Sequence, residues 1–262
     1  MFMIISIVNQ KGGVGKTTTA VNLADNLARI KQKTLLIDLD PQGNTTSSFG
    51  FDKNAQEATI YDTIINQKPI EETVLKDVRK NLDLIPSNID LAGAEVELVS
   101  IVSRETILKQ ALESIKQEYE IVMIDCPPSL GLLTVNALTA SDSLIIPIQA
   151  EYYALEGLSQ LLDTIRMIHE NLNPELFVLG VLVTMFDTRT QLSHQVANEI
   201  NNFFSDLVFN TVIPRNVRLS EAPSFGLPIQ EHDKWSKGAR SYKALAKEVV
   251  KRVKNKPRNI FG

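Results

Sequence analysis

"IVNQKGGVGKTTTA", residues 7–20, is the stretch from which the rest of the chain is read. A phosphate-binding loop is expected to read G-x-x-x-x-G-K-[ST]. Gly15-Lys16-Thr17 fits the end of that pattern, but Gln10 stands where the first glycine belongs and a second lysine, Lys11, follows at once. The preceding "IISIVN" (4–9) reads as a buried strand. After the loop, Ala20, Leu23, Ala24, Leu27 and Ala28 form an i, i+3, i+4 helical stripe. In such a strand–loop–helix unit Gly12, Gly13 and Gly15 let backbone N–H groups approach phosphate oxygens without Cβ obstruction, and the helix offers its positive N-terminal end. Within the loop, which also includes Val14, Lys16 would reach the β- and γ-phosphates of ATP and Thr17 would place its hydroxyl on Mg²⁺. Thr18 is a further candidate phosphate contact. A dinucleotide fingerprint fails, because Thr18 stands where the third glycine would follow Gly13-x-Gly15.

Further along, apolar runs alternate with amphipathic segments. Strands are predicted at 34–38, 82–86, 121–125, 143–148, 177–184 and 207–213, and helices over 104–117, 154–171, 190–205 and 236–254. Several strands lack polar alternation, as expected of parallel strands covered on both faces. The βαβ rhythm predicts an α/β fold, a doubly wound and mostly parallel sheet of the P-loop type, in one domain spanning 1–262, with ligands at the carboxyl ends of the strands.

A P-loop needs a carboxylate near Mg²⁺ at a neighbouring strand end. "IVMIDCPPSLG" supplies Asp125, expected to hold a magnesium-bound water. Asp38 and Asp40, in "LLIDLDPQGN", end another strand and could position an attacking water and sense the γ-phosphate. A tight turn built by Asp-Pro-Gln-Gly is the alternative reading.

Composition sets the remaining bounds. Apolar residues make up 44% and charged residues 22%, ordinary for a globular protein. No run approaches the length of a membrane-spanning helix. The lone cysteine, Cys126, excludes an internal disulfide and a Cys-x-x-Cys metal site, reads as a packing residue, and fits a reducing cytoplasm. The net charge of −4 is unevenly spread: residues 215–262 hold 12 Lys+Arg against 4 Asp+Glu. A basic C-terminal fifth on an acidic body suggests a face for an anionic partner, or a lysine-rich solvated helix.

"KGGVGKTTT", "LLIDLDPQGN" and "IVMIDCPPSLG" together resemble the deviant Walker A ATPases related to ParA and MinD. "VNALTASDSLIIPIQAEYYALEGLSQLL" and "TVIPRNVRLSEAPSFGLPI" look like the ParA/Soj branch, which partitions chromosomes and plasmids. The resemblance implies a weak Mg²⁺-dependent ATPase that closes a homodimer on ATP, binds double-stranded DNA without sequence preference, and is released when a ParB-type centromere-binding partner stimulates hydrolysis. It implies a cytoplasmic, nucleoid-associated protein with no membrane. Lys11 matches the lysine that crosses the dimer to the partner's phosphates, and Gly12 a position of close backbone approach between subunits. Asp40 matches the water-positioning acid and Asp38 the acid linking nucleotide state to the switch loop. Glu151 matches a ribose contact across the dimer; Pro214 and Asn216 match the adenine contacts. Arg189 and Arg218 match DNA-binding arginines.

Beside those arginines, Lys234, Lys237, Arg240, Lys243 and Lys247 extend the basic surface, the last three at helical spacing on one face. Trp235 reads as a packing anchor, since no aromatic series accompanies it. Leu245, Val249 and Val253 read as a core-facing stripe that Pro257 ends, and Ile260 and Phe261 are too few for an amphipathic membrane anchor. The loop begins within ten residues of Met1, so operator reading by an N-terminal helix-turn-helix is not expected. A MinD-like membrane switch and a P-loop metabolic ligase remain the alternatives, although no acceptor-site motif supports the ligase.

Overall fold

The computed structural model describes residues 2–151 and 158–255. Among the described residues seven strands form one sheet: β1 (Met3–Ile7), β2 (Thr34–Asp38), β3 (Leu75–Arg79), β4 (Leu82–Ile85), β5 (Ile121–Asp125), β6 (Ser143–Gln149) and β7 (Phe177–Thr184), in spatial order β3-β4-β2-β5-β1-β6-β7. Every pairing is parallel except β3 with β4. β1 lies between β5 and β6, so the chain winds outward from the phosphate-loop strand in both directions. The loop therefore opens where strand order reverses, the usual ligand crevice of such sheets.

Apolar residues fill both faces, which is why the strand patterns run without alternation. On one face Ile5, Ile7, Leu36 and Leu84 pack against Ala20, Leu23 and Leu27 of the helix Lys16–Arg29 and against Tyr242, Leu245 and Val249 of the helix Lys237–Asn255. On the other, Ile4, Val8, Leu35 and Ile37 join Leu133 and Ala137 of Leu132–Ala140 and Leu161 and Ile165 of Leu158–Asn171. The stripe Leu245, Val249 and Val253 is buried as expected.

Two expectations are corrected, and one strand is new. The strand predicted at 207–213 is absent. Phe209 and Ile213 donate to Val181 and Val183, but the intervening Asn210 and Thr211 amides are captured by the Glu248 carboxylate at 2.8 and 2.9 Å. With those donors diverted to a helix side chain, only isolated bridges form. The helix expected over 104–117 shortens to Ile107–Leu112; ahead of its start the Asn136 amide takes the Arg104 carbonyl at 2.7 Å, and residues 113–118 continue as turns. The edge strand β3 is not legible as a strand: three of its five residues are charged, and Asp77 sits at φ 54°, its N–H bonded to the Asp83 carboxylate at 2.7 Å. The start of the helix expected over 154–171, together with Pro257, Ile260 and Phe261, lies outside the described residues.

Candidate functional site

Left-handed backbone at Gly13 (φ 77°) and Gly15 (φ 89°) turns the loop tightly into its helix, a conformation that L side chains adopt at a cost. Asn9 anchors the loop's entry, its amide donating to the Pro147 carbonyl at 2.7 Å and its oxygen accepting the Lys11 N–H at 3.0 Å. At the exit the Thr184 hydroxyl donates to the Val14 carbonyl at 2.8 Å. Lys16 is buried, and its ammonium donates to the Lys11 carbonyl at 3.2 Å. Burial lowers its affinity for a proton, while the nearby Asp125, Cys126 and Asp40 act in the opposite sense.

Strand register brings the acids together. Asp38 and Asp125, 87 positions apart in sequence, are direct neighbours at the ends of β2 and β5. Both are fully buried. Burial, followed by the charge of Asp125, pushes the Asp38 carboxyl up to about 7. Asp38 accepts the Thr46 N–H at 2.8 Å and the Thr46 hydroxyl at 2.7 Å through Oδ2, and the Asp40 N–H at 3.3 Å through Oδ1. Asp40 is also buried and accepts the Gln42 N–H at 2.9 Å. The Asp-Pro-Gln-Gly turn forms as well, the Gly43 N–H reaching the Asp40 carbonyl at 2.9 Å. The turn and the cluster of acids are therefore the same piece of chain.

Asp125 is raised by burial, partly offset by the Thr45 and Thr17 hydroxyls. Thr45 donates to its Oδ2 at 2.7 Å, whereas Oδ1 is buried with no hydrogen-bond partner among the described residues. An orphaned carboxylate oxygen beside a threonine hydroxyl is a donor set suited to a hard cation such as Mg²⁺. Among the described residues no group of three or more His, Cys, Asp or Glu could hold a metal, so such a cation would also need oxygen ligands from a phosphate. Cys126, fully buried, has its thiol pushed up to about 12 by burial and is an inert packing group.

Beside the loop, Gly15, Thr18, Met185, Pro214, Asn216 and Tyr242 line a cavity of about 280 Å³. It unites residues expected to contact phosphate and adenine. Glu151 is not part of its lining but bonds to Arg215, which is: Oε1 accepts from Gln149 Nε2 at 2.5 Å and from Arg215 Nη2 at 3.0 Å. Thr45, Thr46, Arg215 and Met185 were missed by the sequence reading. The hydroxyl pair directly after "DPQGN" and an arginine between two expected contacts were the available signals for the first three. Met185 gave none; its backbone lies at φ 50°, unusual for a non-glycine residue.

The arginines expected at a DNA face are exposed but carboxylate-bound. Arg189, with an 84% exposed side chain, grips Asp187 through Nε at 2.9 Å and Nη2 at 2.8 Å. Arg218 pairs with Glu221 at 2.9 Å. Their loops are joined where the Phe186 N–H meets the Ile213 carbonyl and the Arg215 N–H meets the Phe186 carbonyl, each at 3.0 Å. Lys234, Lys237, Arg240, Lys243 and Lys247 are all exposed. Trp235 is not the packing anchor expected: it is 77% exposed. No helix among the described residues is long and apolar enough to cross a membrane.

Comparison with known proteins gives this arrangement a family. A family model described as an AAA domain matches residues 2–178. The chain is 57% identical over 250 residues to the sporulation initiation inhibitor protein Soj of Bacillus subtilis, an alignment covering 95% of this chain and 99% of that one. It is 53% identical over 249 residues to the chromosome partitioning protein ParA of Myxococcus xanthus, covering 95% and 88%. Its fold matches cobyrinic acid a,c-diamide synthase from Mycobacterium smegmatis, solved with an ATP analogue and magnesium, at a TM-score of 0.86 and 34% identity over 99% of this chain and 98% of that one. With a phosphate loop, paired strand-end acids and relatives more than half identical over nearly its whole length, the chain belongs to the ParA/Soj family of chromosome-partitioning ATPases.

Proposed function

We propose that this ATPase is a dimerising switch that binds DNA without sequence preference and drives segregation of a chromosome or plasmid. With ATP it forms a homodimer on duplex DNA; a ParB-type partner stimulates hydrolysis to ADP and phosphate, and the subunits separate. The free energy of nucleotide binding is used to favour one assembly over another.

The observation that carries this reading is at Gly12. A Cβ there would meet nothing within 4 Å among the described residues and its backbone is not left-handed, so the glycine leaves room for something outside the polypeptide, bound phosphate or a second copy. Gly12 is exposed at the mouth of the loop, next to Lys11, which suits close approach by a second copy. Lys11 is the cation that would project into the partner's nucleotide, while Lys16 neutralises phosphate in its own site, as an arginine finger and P-loop lysine divide the work elsewhere. Thr17 and Asp125, the latter through water, would hold Mg²⁺, whose contribution when bound is to neutralise phosphate charge. Asp40 orients the attacking water, and Asp38 ties the switch turn to the sheet through Thr46. Pro214 and Asn216 receive the adenine, and Glu151 the partner's ribose. Arg189 and Arg218, with Lys234, Lys237, Arg240, Lys243 and Lys247, contact phosphates of DNA.

Binding to random-sequence duplex DNA with no nucleotide, ADP or ATP tests the reading, with Asp40→Ala used to suppress turnover and anionic vesicles run alongside. Tight, salt-sensitive binding to DNA only with ATP is expected, log K falling by about 0.9 per phosphate neutralised per decade of salt. ATP-dependent vesicle binding without DNA would favour a membrane switch, and neither response would favour a metabolic enzyme.

A further inference from the structure

Trp235 is the protein's single tryptophan, and at 77% exposure it contributes little to the core. It is displayed on a rigid turn. The Trp235 N–H donates to Asp233 Oδ1 at 3.1 Å, Ser236 Oγ donates to the Asp233 carbonyl at 2.8 Å and accepts the Ala239 N–H at 3.1 Å, and Ser236 itself is buried. The other oxygen of the same Asp233 carboxylate lies 3.7 Å from Arg218 Nε. A single acid thus holds Trp235 and Arg218 side by side. The two segments also pack closely at Gly238 and Leu219, where a Cβ on Gly238 would lie 2.7 Å from the Leu219 Cγ.

One cation stands over the indole. The Lys234 ammonium stands 5.2 Å from the ring centroid, and Lys237 is exposed one turn further on. An aromatic plate beside Lys234, on a turn tied to Arg218 through Asp233, offers charge to phosphates and an apolar face to what lies between them: the deoxyribose and base edges of a groove. Lysine and arginine alone would serve a purely electrostatic contact, whereas apolar side chains on groove-binding surfaces seat against sugars and base steps.

We propose that Trp235 is a DNA-contacting residue, laying its indole into a groove of duplex DNA beside Arg218 and supplying a part of the affinity that salt does not screen. This rests on the DNA-binding reading above and deepens it. Charged contacts set the slope of log K against log salt, and an apolar contact shifts the line without tilting it.

Because Trp235 is the only tryptophan, its emission reports on it directly. The full chain carrying Asp40→Ala, already saturated with ATP and magnesium, is titrated with random-sequence duplex while Trp emission and the anisotropy of a labelled duplex are followed in parallel. Emission is expected to change along the same isotherm as anisotropy. Trp235→Ala in that background is expected to weaken binding about fivefold or more at every salt concentration with an unchanged slope, and Trp235→Phe to recover part of the loss. Lys234→Ala is expected to reduce the slope by about 0.9. Normal DNA binding by anisotropy with unchanged emission and a parental Trp235→Ala would overturn the proposal and leave the switch reading intact. Absence of DNA binding in the parent would overturn both. Emission that responds to anionic vesicles but not to DNA would assign Trp235 to a lipid surface instead.

Discussion

Gly50 and Gly226 meet backbone to backbone: a Cβ on Gly226 would lie 2.5 Å from the Gly50 α-carbon and 2.9 Å from its nitrogen. Gly50 closes the short helical segment that follows Asp38 and Asp40, and Gly226 closes the one that follows Arg218. The acid-bearing turn and the basic surface are therefore joined with no side chain between them. Gly226→Ala must also hold φ 65° with a side chain, and is expected to cost roughly 1–3 kcal/mol in urea unfolding. In the same variant the gap between DNA affinities with ATP and without it should narrow. Parental stability would show that the contact yields at no cost.

In the proposed DNA complex Asp187 would compete with phosphate for Arg189, since Nε and Nη2, one edge of the guanidinium, engage its carboxylate. Asp187→Asn should release the arginine and tighten DNA binding about two- to fivefold at low salt, the range of an exposed ion pair. Anisotropy titrations of this variant with ATP would check it; weaker binding would mean that Asp187 instead aims Arg189.

Asp40→Ala should slow ATP turnover about 10²-fold or more, the usual cost of removing a group that orients the reacting water. ATP affinity, measured by filter binding, should hardly change. Equal losses in turnover and in affinity would assign Asp40 to the structure of its turn, through Gln42 and Gly43.

Gly12→Val has open space within its own chain and should melt like the parent. Sedimentation with ATP should nevertheless find it monomeric. Lys11→Ala should also fail to dimerise, while still binding nucleotide. A Gly12→Val dimer at parental concentration would remove the main support for close approach of two copies at the loop.

Asp83 gives the pH dependence of stability a sign. Burial alone would raise its carboxyl, but hydrogen bonds from Lys33 at 2.9 Å, the Asp77 N–H and Tyr119 at 2.9 Å bring it below the usual range. The native state then holds the proton less readily than the unfolded chain does. This stabilisation is complete above the unfolded carboxylate value near 4 and is lost as pH falls through the lowered native value. Asp83→Asn should cost about 1–3 kcal/mol at pH 7, a gap that closes as pH falls through the lowered native value. A gap that stays constant as pH falls through the carboxylate range would show that shape, and not charge, matters at this position.

The chain written out already contains the phosphate loop, the strand ends bearing Asp38, Asp40 and Asp125, and the helical stripe of 245, 249 and 253. Each is a local signal: a fixed spacing, a run buried on both faces, or a period of one helical turn. Tertiary structure alone decided that Asp38 and Asp125 are neighbours, because register between β2 and β5 leaves no trace in either strand. It also decided that 207–213 is not a strand, since the competing acceptor, Glu248, lies on a helix more than thirty positions away. Trp235 faces solvent for the same reason: Asp233 and the Leu219–Gly238 packing fix its turn, and hydrophobicity by itself does not say which way a residue at such a turn will point. Local pattern reports what a residue needs; only the folded chain determines which distant group supplies it.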